Sequence, residues 1–125
     1  MTTLRVLVLL CLLSSCRKEA PSPAPTYTNQ VGMVYAKGTT RGGPLQYILD
    51  DGTESSAIIR RYLVTNFPDS LQQYILGRTY GGRVVFSGVT SPVLKPVVRP
   101  ADNDAGTVVE YELPTIQLTA IRRKE

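Results

Sequence analysis

The chain has 125 residues, a formal charge of +4, two cysteines and no histidine. That length supports one modest core, and the mild positive balance bears on solubility and on attraction to anionic surfaces rather than on fold. Without histidine, Ser-His-Asp and Cys-His catalysis and His-based zinc sites are excluded. No catalytic residue, cofactor or metal site is expected, and the chain does not read as an enzyme.

The chain opens with Arg5 and an apolar run from Val6 to Leu13. A basic residue, a short apolar stretch and small residues before a cleavage point form a secretory signal. The run is too short to span a bilayer, which takes about 20 apolar residues. Leu13-Ser14-Ser15-Cys16 resembles a bacterial lipobox, which implies cleavage before Cys16 and acylation of that cysteine. Residues 1–15 are then the signal. Cys11 leaves with it and Cys16 carries lipid, so the mature domain is expected to hold neither a free thiol nor a disulfide.

Residues 16–29 read as a tether. The alternate prolines of Ala20-Pro21-Ser22-Pro23-Ala24-Pro25 favour an extended polyproline II spacer. At about 3.1 Å per residue it reaches roughly 35–40 Å from the lipid. Arg17, directly after Cys16, is not the aspartate that holds lipoproteins in an inner membrane. Glu19 alone is not the acidic cluster of surface-exported lipoproteins. The sequence thus predicts attachment to the outer membrane by the lipid anchor, facing the periplasm.

The folded domain is expected over residues 30–125. Gln30 to Thr39 is rich in strand formers; Thr40 to Pro44 is a turn. Leu45 to Leu49 is a second strand, and Asp51-Gly52 marks a hairpin. Asp50 and Asp51 are adjacent, so they are read as turn chemistry and not as a catalytic pair. Ile58 to Val64 is a third strand, in which Arg60 and Arg61 break the alternation and place one arginine at an edge or bulge.

A short helix follows, from Pro68 to Leu76, with Leu71, Tyr74 and Ile75 on one apolar stripe and Gly77 as its stop. Arg83 to Val89 is the most strand-like run, and Phe86 shares the parity of Val84 and should be buried. Thr90 to Thr107, with Pro92, Pro96 and Pro100, reads as a long loop with a short edge piece at Val93 to Val98. Val108 to Leu113 and Thr115 to Ile121 are two further strand pieces separated by Pro114. Arg122-Arg123-Lys124-Glu125 reads as a frayed tail.

Three strands, one helix and two more strands is the element order of an OB-fold. The predicted fold class is therefore all-β with one short helix, a five-stranded OB-like β-barrel. Tyr47-Ile48-Leu49, Leu63-Val64-Thr65-Asn66-Phe67-Pro68, Gly82 to Gly88 and Pro114 to Leu118 resemble small OB-like lipoproteins of Bacteroidetes. Phe67 stands where that group carries leucine, and the stretch around Val93 to Asp104 is longer. The resemblance implies a fold and a compartment, and no catalytic residues.

OB barrels bind oligonucleotides or oligosaccharides across their second and third strands. Here that points to Tyr47, Arg60 and Tyr62, with Arg41 and Arg83 nearby, as candidate ligand residues, since interleaved aromatic and arginine side chains hold anionic or ring-shaped groups. The expected partner is a glycan, an anionic envelope component or an envelope protein; nucleic acid is not expected outside the cytoplasm. The alternative is an accessory subunit without a ligand. Asp102-Asn103-Asp104 resembles the opening of a calcium loop, but Gly106 stands where a third ligand belongs, so a polar turn is the reading adopted. Asp69-Ser70-Leu71 matches a short glycosylation pattern, but helix-start chemistry is the reading adopted.

Overall fold

The computed structural model describes residues 26–40, 43–52, 59–78, 80–102 and 106–124. The signal, Cys16, the tether to Pro25 and Arg41 lie outside the described residues. Five strands are present: β1 (Thr26–Gly38), β2 (Leu45–Asp50), β3 (Arg61–Val64), β4 (Gly82–Pro100) and β5 (Thr107–Arg123). They close into a barrel in the order β1-β2-β3-β5-β4. The β3–β5 pairing is parallel and the others are antiparallel. A 3-10 turn (Asp69–Leu71) leads into α1 (Gln72–Leu76) between β3 and β4. This is the OB-like barrel expected from the element order.

Alternation places one face of each strand inside. Val34, Tyr47, Leu49, Tyr62, Val64, Val84, Phe86, Ile116 and Leu118 form the core, joined by Ile75 of α1. Phe86 is 1 % exposed, as its parity required. The helix is shorter than its apolar stripe predicted: Pro68 is extended, the first turn is 3-10, and five α-helical residues remain before the cap at Gly77. So short a helix holds its place by burying Ile75, not by its own hydrogen bonds. At the other end of the domain, β1 begins at Thr26, four residues before the expected boundary, because Thr26 and Tyr27 pair with Val89 and Gly88.

The largest departure from the sequence reading lies between Thr90 and Thr107. No loop fills it. β4 runs unbroken to Pro100, and β5 starts at Thr107 and continues through Pro114. Together they form a hairpin arm paired from Leu94↔Pro114 to Pro100↔Thr107. Register shifts between Ser91 and Leu94 and between Val97 and Val98 erase the period of two that would have betrayed a strand. Pro96 is tolerated because it faces an edge. The carbonyl of Pro96 and the amide of Val98 both engage the Gln46 side chain, at 3.0 Å each. A residue's N–H and C=O point the same way in a strand, so Pro96 withholds a donor only from that edge.

The arm folds against the outside of the barrel. Ile48 has the opposite parity to the core residues Tyr47 and Leu49, yet it is 0 % exposed, as is Val97 of the arm. Lys37 on β1 pairs with Glu110 and stands over the Tyr111 ring, 5.4 Å from its centroid. The outer face of β1 and β2 is therefore covered by the chain itself.

Candidate functional site: a basic cleft beside an aromatic pocket

The side chains singled out by the sequence do not converge on one open face. Tyr47 is 7 % and Tyr62 5 % exposed. Tyr47 stacks on Phe67 with ring centroids 4.1 Å apart, and its hydroxyl has no partner. Tyr62 shares a hydrogen bond with the Tyr27 hydroxyl at 2.9 Å, and Tyr27 donates to Asp51 at 2.7 Å. Burial first, then these bonds, push the Tyr27 phenol well above its ordinary range. Both predicted rings point inward because they keep parity with Leu49 and Val64. Arg60 is exposed just before β3; its amide donates to Asp51 at 2.8 Å, and its guanidinium lies beside the Tyr27 hydroxyl. The two rings expected to form an aromatic platform on β2 and β3 thus lie in the core, and the outer face of β2 is covered by the arm.

On the opposite side the outer face of β1, β4 and β5 lies clear of the arm. Val31, Val85 and Arg122 sit side by side across the three strands. They floor a cleft of about 660 Å³ that is also lined by Asn29, Arg123 and Lys124. Asn29 reaches the rim because a bulge between Tyr27 and Gln30 turns it into the left-handed region at φ 47°. Asparagine tolerates that conformation, and its amide donates to Ser87 Oγ at 2.9 Å.

The three cations belong to the stretch that read as a frayed tail. Arg122 and Arg123 are instead the last rungs of β5, opposite Val85 and Val84. The Lys124 amide then donates to the Arg83 carbonyl at 2.9 Å. The same carbonyl accepts the Tyr74 hydroxyl at 2.9 Å. Arg83 shares the outward parity of Val85 and so stands at the edge of the cleft, the one predicted ligand residue placed near it. Among the described residues, none of Arg83, Arg122, Arg123 and Lys124 has a carboxylate partner, in contrast to Lys37, Arg61 and Arg99.

A second pocket, of about 310 Å³, opens next to this cleft and is lined by Tyr35, Ala36, Ile75, Leu76, Arg78 and Tyr80. Two glycines build it. A Cβ on Gly81, at φ +89°, would lie 2.6 Å from the Val34 carbonyl, so only glycine lets this segment lie against β1 and bring Tyr80 beside Tyr35. A Cβ on Gly82 would lie 2.7 Å from the Tyr74 ring, so glycine there lets α1 close on β4. Tyr74 separates pocket and cleft. Arg78 stands 4.6 Å and Arg123 5.5 Å from its ring centroid.

Among the described residues no cluster of acidic, histidine or cysteine side chains can hold a metal, and no helix is long and apolar enough to cross a membrane. No family model, curated protein or solved structure matches the chain.

Proposed function

We propose that the chain is a non-enzymatic envelope lipoprotein, held to the outer membrane through Cys16, whose OB-like barrel binds an anionic envelope component. The observation that carries this reading is the cleft at Arg122, Arg123 and Lys124, where cations stand around an apolar floor with no acidic partner among the described residues. Exposed like charges repel one another unless a counter-charge arrives, and an arginine fork suits carboxylate or phosphate. The site is proposed on β1, β4 and β5 instead of β2 and β3, whose aromatic rings Tyr47 and Tyr62 are buried in the core. Glycan, anionic polymer and protein partner all fall within the reading so long as they present negative groups.

One experiment tests anchor and cleft together. Native lipidated protein in isolated envelopes is compared with Cys16→Ala and with Arg122→Ala/Lys124→Ala for capture of polyphosphate, a simple anionic probe. Cys16→Ala should leave the membrane fraction, whereas the double variant should stay there and lose most capture. Capture by the unaltered protein should weaken with added salt, since exposed charges are screened over about 8–10 Å at moderate ionic strength. A double variant that captures the probe as well as the parent sinks the cleft reading. A matured Cys16→Ala protein still on membranes sinks the anchor.

A second reading, an accessory subunit that docks on a neighbour, is favoured by one observation. The outward side of the arm exposes Leu94 at 53 % and Val109 at 56 %, an apolar surface of the kind that marks contacts between proteins. Loss of the cleft reading in the test above would leave this one standing.

A further inference from the structure

We propose that the pocket between Tyr35 and Tyr80 is a ring-binding subsite continuous with the basic cleft, so that the ligand is an acidic glycan spanning both. The inference rests on the cleft being an anion site, and adds what the anion is attached to.

Tyr80 is the first observation. It is 89 % exposed, beside a Leu76 that is 49 % exposed. Tyrosine ordinarily buries 150–250 Å² and gains from doing so. Here the backbone is held by a glycine that no other residue replaces without a clash, and the held position leaves the ring in water. A fixed backbone beneath an uncovered ring is a platform.

The pocket's composition is the second. Ala36, Ile75 and Leu76 give it apolar walls, while Tyr80 and Arg78 bring polar groups to it. A sugar ring has the matching pattern: C–H groups on its faces and hydroxyls around its edge. An acyl chain has no use for the polar rim. At about 310 Å³ the pocket stands at the small end of ligand sites and is of a size for a ring.

Continuity is the third. Arg78 lines the pocket and Arg123 lines the cleft, and both stack on Tyr74. Their guanidinium carbons therefore lie no farther apart than the sum of two ring-contact distances. The Tyr74 hydroxyl donates to the Arg83 carbonyl, a bond that favours this ring position. A chain of sugars bearing carboxylates or phosphates can lay a ring in the pocket and its charges along Arg78, Arg123 and Arg122. A bilayer surface, being flat, reaches the cations without entering the pocket.

The test uses the mature domain with four probes: an oligogalacturonate, a neutral maltooligosaccharide, polyphosphate and anionic phosphatidylglycerol vesicles. Oligogalacturonate should bind, and Tyr80→Ala should weaken it about tenfold, the scale of one lost aromatic contact. Polyphosphate should bind without regard to Tyr80, and the maltooligosaccharide should bind much more weakly than the acidic one. Tyr80 is exposed, so its removal leaves the fold intact; circular dichroism checks this. If polyphosphate binds but Tyr80→Ala leaves oligogalacturonate unchanged, the ring subsite is wrong and the anion cleft survives. If neither polyanion binds, both fall. Vesicle binding that drops with Tyr80→Ala as much as the glycan does would assign the ring to a membrane contact and overturn the glycan.

Discussion

The two outer faces of the barrel put the same residue types to opposite use. On β1 and β2 the arm covers the sheet, Ile48 and Val97 are fully buried, and each charge has a counterpart: Lys37 with Glu110, Arg61 with Asp50. Burial there even raises the Asp50 carboxyl above its usual range, with Arg61 only partly offsetting the effect. On β1, β4 and β5, Arg122 and Lys124 line a cleft with Val31 and Val85, and among the described residues neither cation has a carboxylate partner. A charge already paired within the fold has little left for a ligand. The difference shows that a count of arginines near a barrel does not locate a binding face; the pairing of each one does.

The largest expected effect falls on the interior that backs both faces. Phe86→Ala should cost about 3–5 kcal/mol through cavity formation, read as a lower denaturant midpoint, with cleft binding and arm order lost together. An unchanged midpoint would remove the register on which both faces depend.

A sharper contrast compares two outward-pointing β-branched residues. Ile48 on β2 lies beneath the arm, whereas Val89 on β4 is 47 % exposed. Ile48→Ala should cost about 2–5 kcal/mol, while Val89→Ala should stay within about 0.5 kcal/mol, as surface changes do. Equal costs would mean that the arm does not seal its face.

Much of this architecture is legible in the sequence, and the failures have physical causes. Strong alternation placed Val84 and Phe86 inside, and element order gave the barrel. The arm was missed because a proline is a reliable strand breaker only where its amide is needed. Pro96 sits with its nitrogen toward an edge that Gln46 closes with a side chain, and no local pattern reveals that. The candidate site was misplaced for a related reason. Tyr47 and Tyr62 satisfy a rule about aromatics on the second and third strands, but their parity with Leu49 and Val64 sends them inward, a signal already present in the sequence. Arg122 to Lys124 looked like a solvated tail because a charged terminus carries no periodicity. Its pairing with Val84 and Val85, extended by the Lys124–Arg83 backbone bond, makes it part of the sheet. Tyr80 had no signal beyond the two glycines that follow it.

The smallest effect concerns pH and separates the covered face from the open one. Tyr35 lies on β1 under the arm, beside Tyr111. Burial first, and then the neighbouring Tyr111 phenol, push the Tyr35 phenol up to about 12, against a partial pull downward from Arg61. Below its ordinary value of about 10 the phenol is protonated in folded and unfolded chains alike, and its contribution to stability is complete. Between about 10 and about 12 the unfolded chain ionises while the folded one resists, so stability falls as pH rises through that window. The ring is partly exposed, so the fall is gentle. Tyr35→Phe should flatten the decline in denaturant midpoint across that window and leave the midpoint at neutral pH little changed. Tyr27, whose phenol is raised by burial and by its bonds to Tyr62 and Asp51, packs against the core away from the arm, so Tyr27→Phe should flatten the decline as well. If Tyr35→Phe leaves the decline as steep as in the parent, the covered face is no drier than an exposed one, and the contrast between the two faces rests on charge pairing alone.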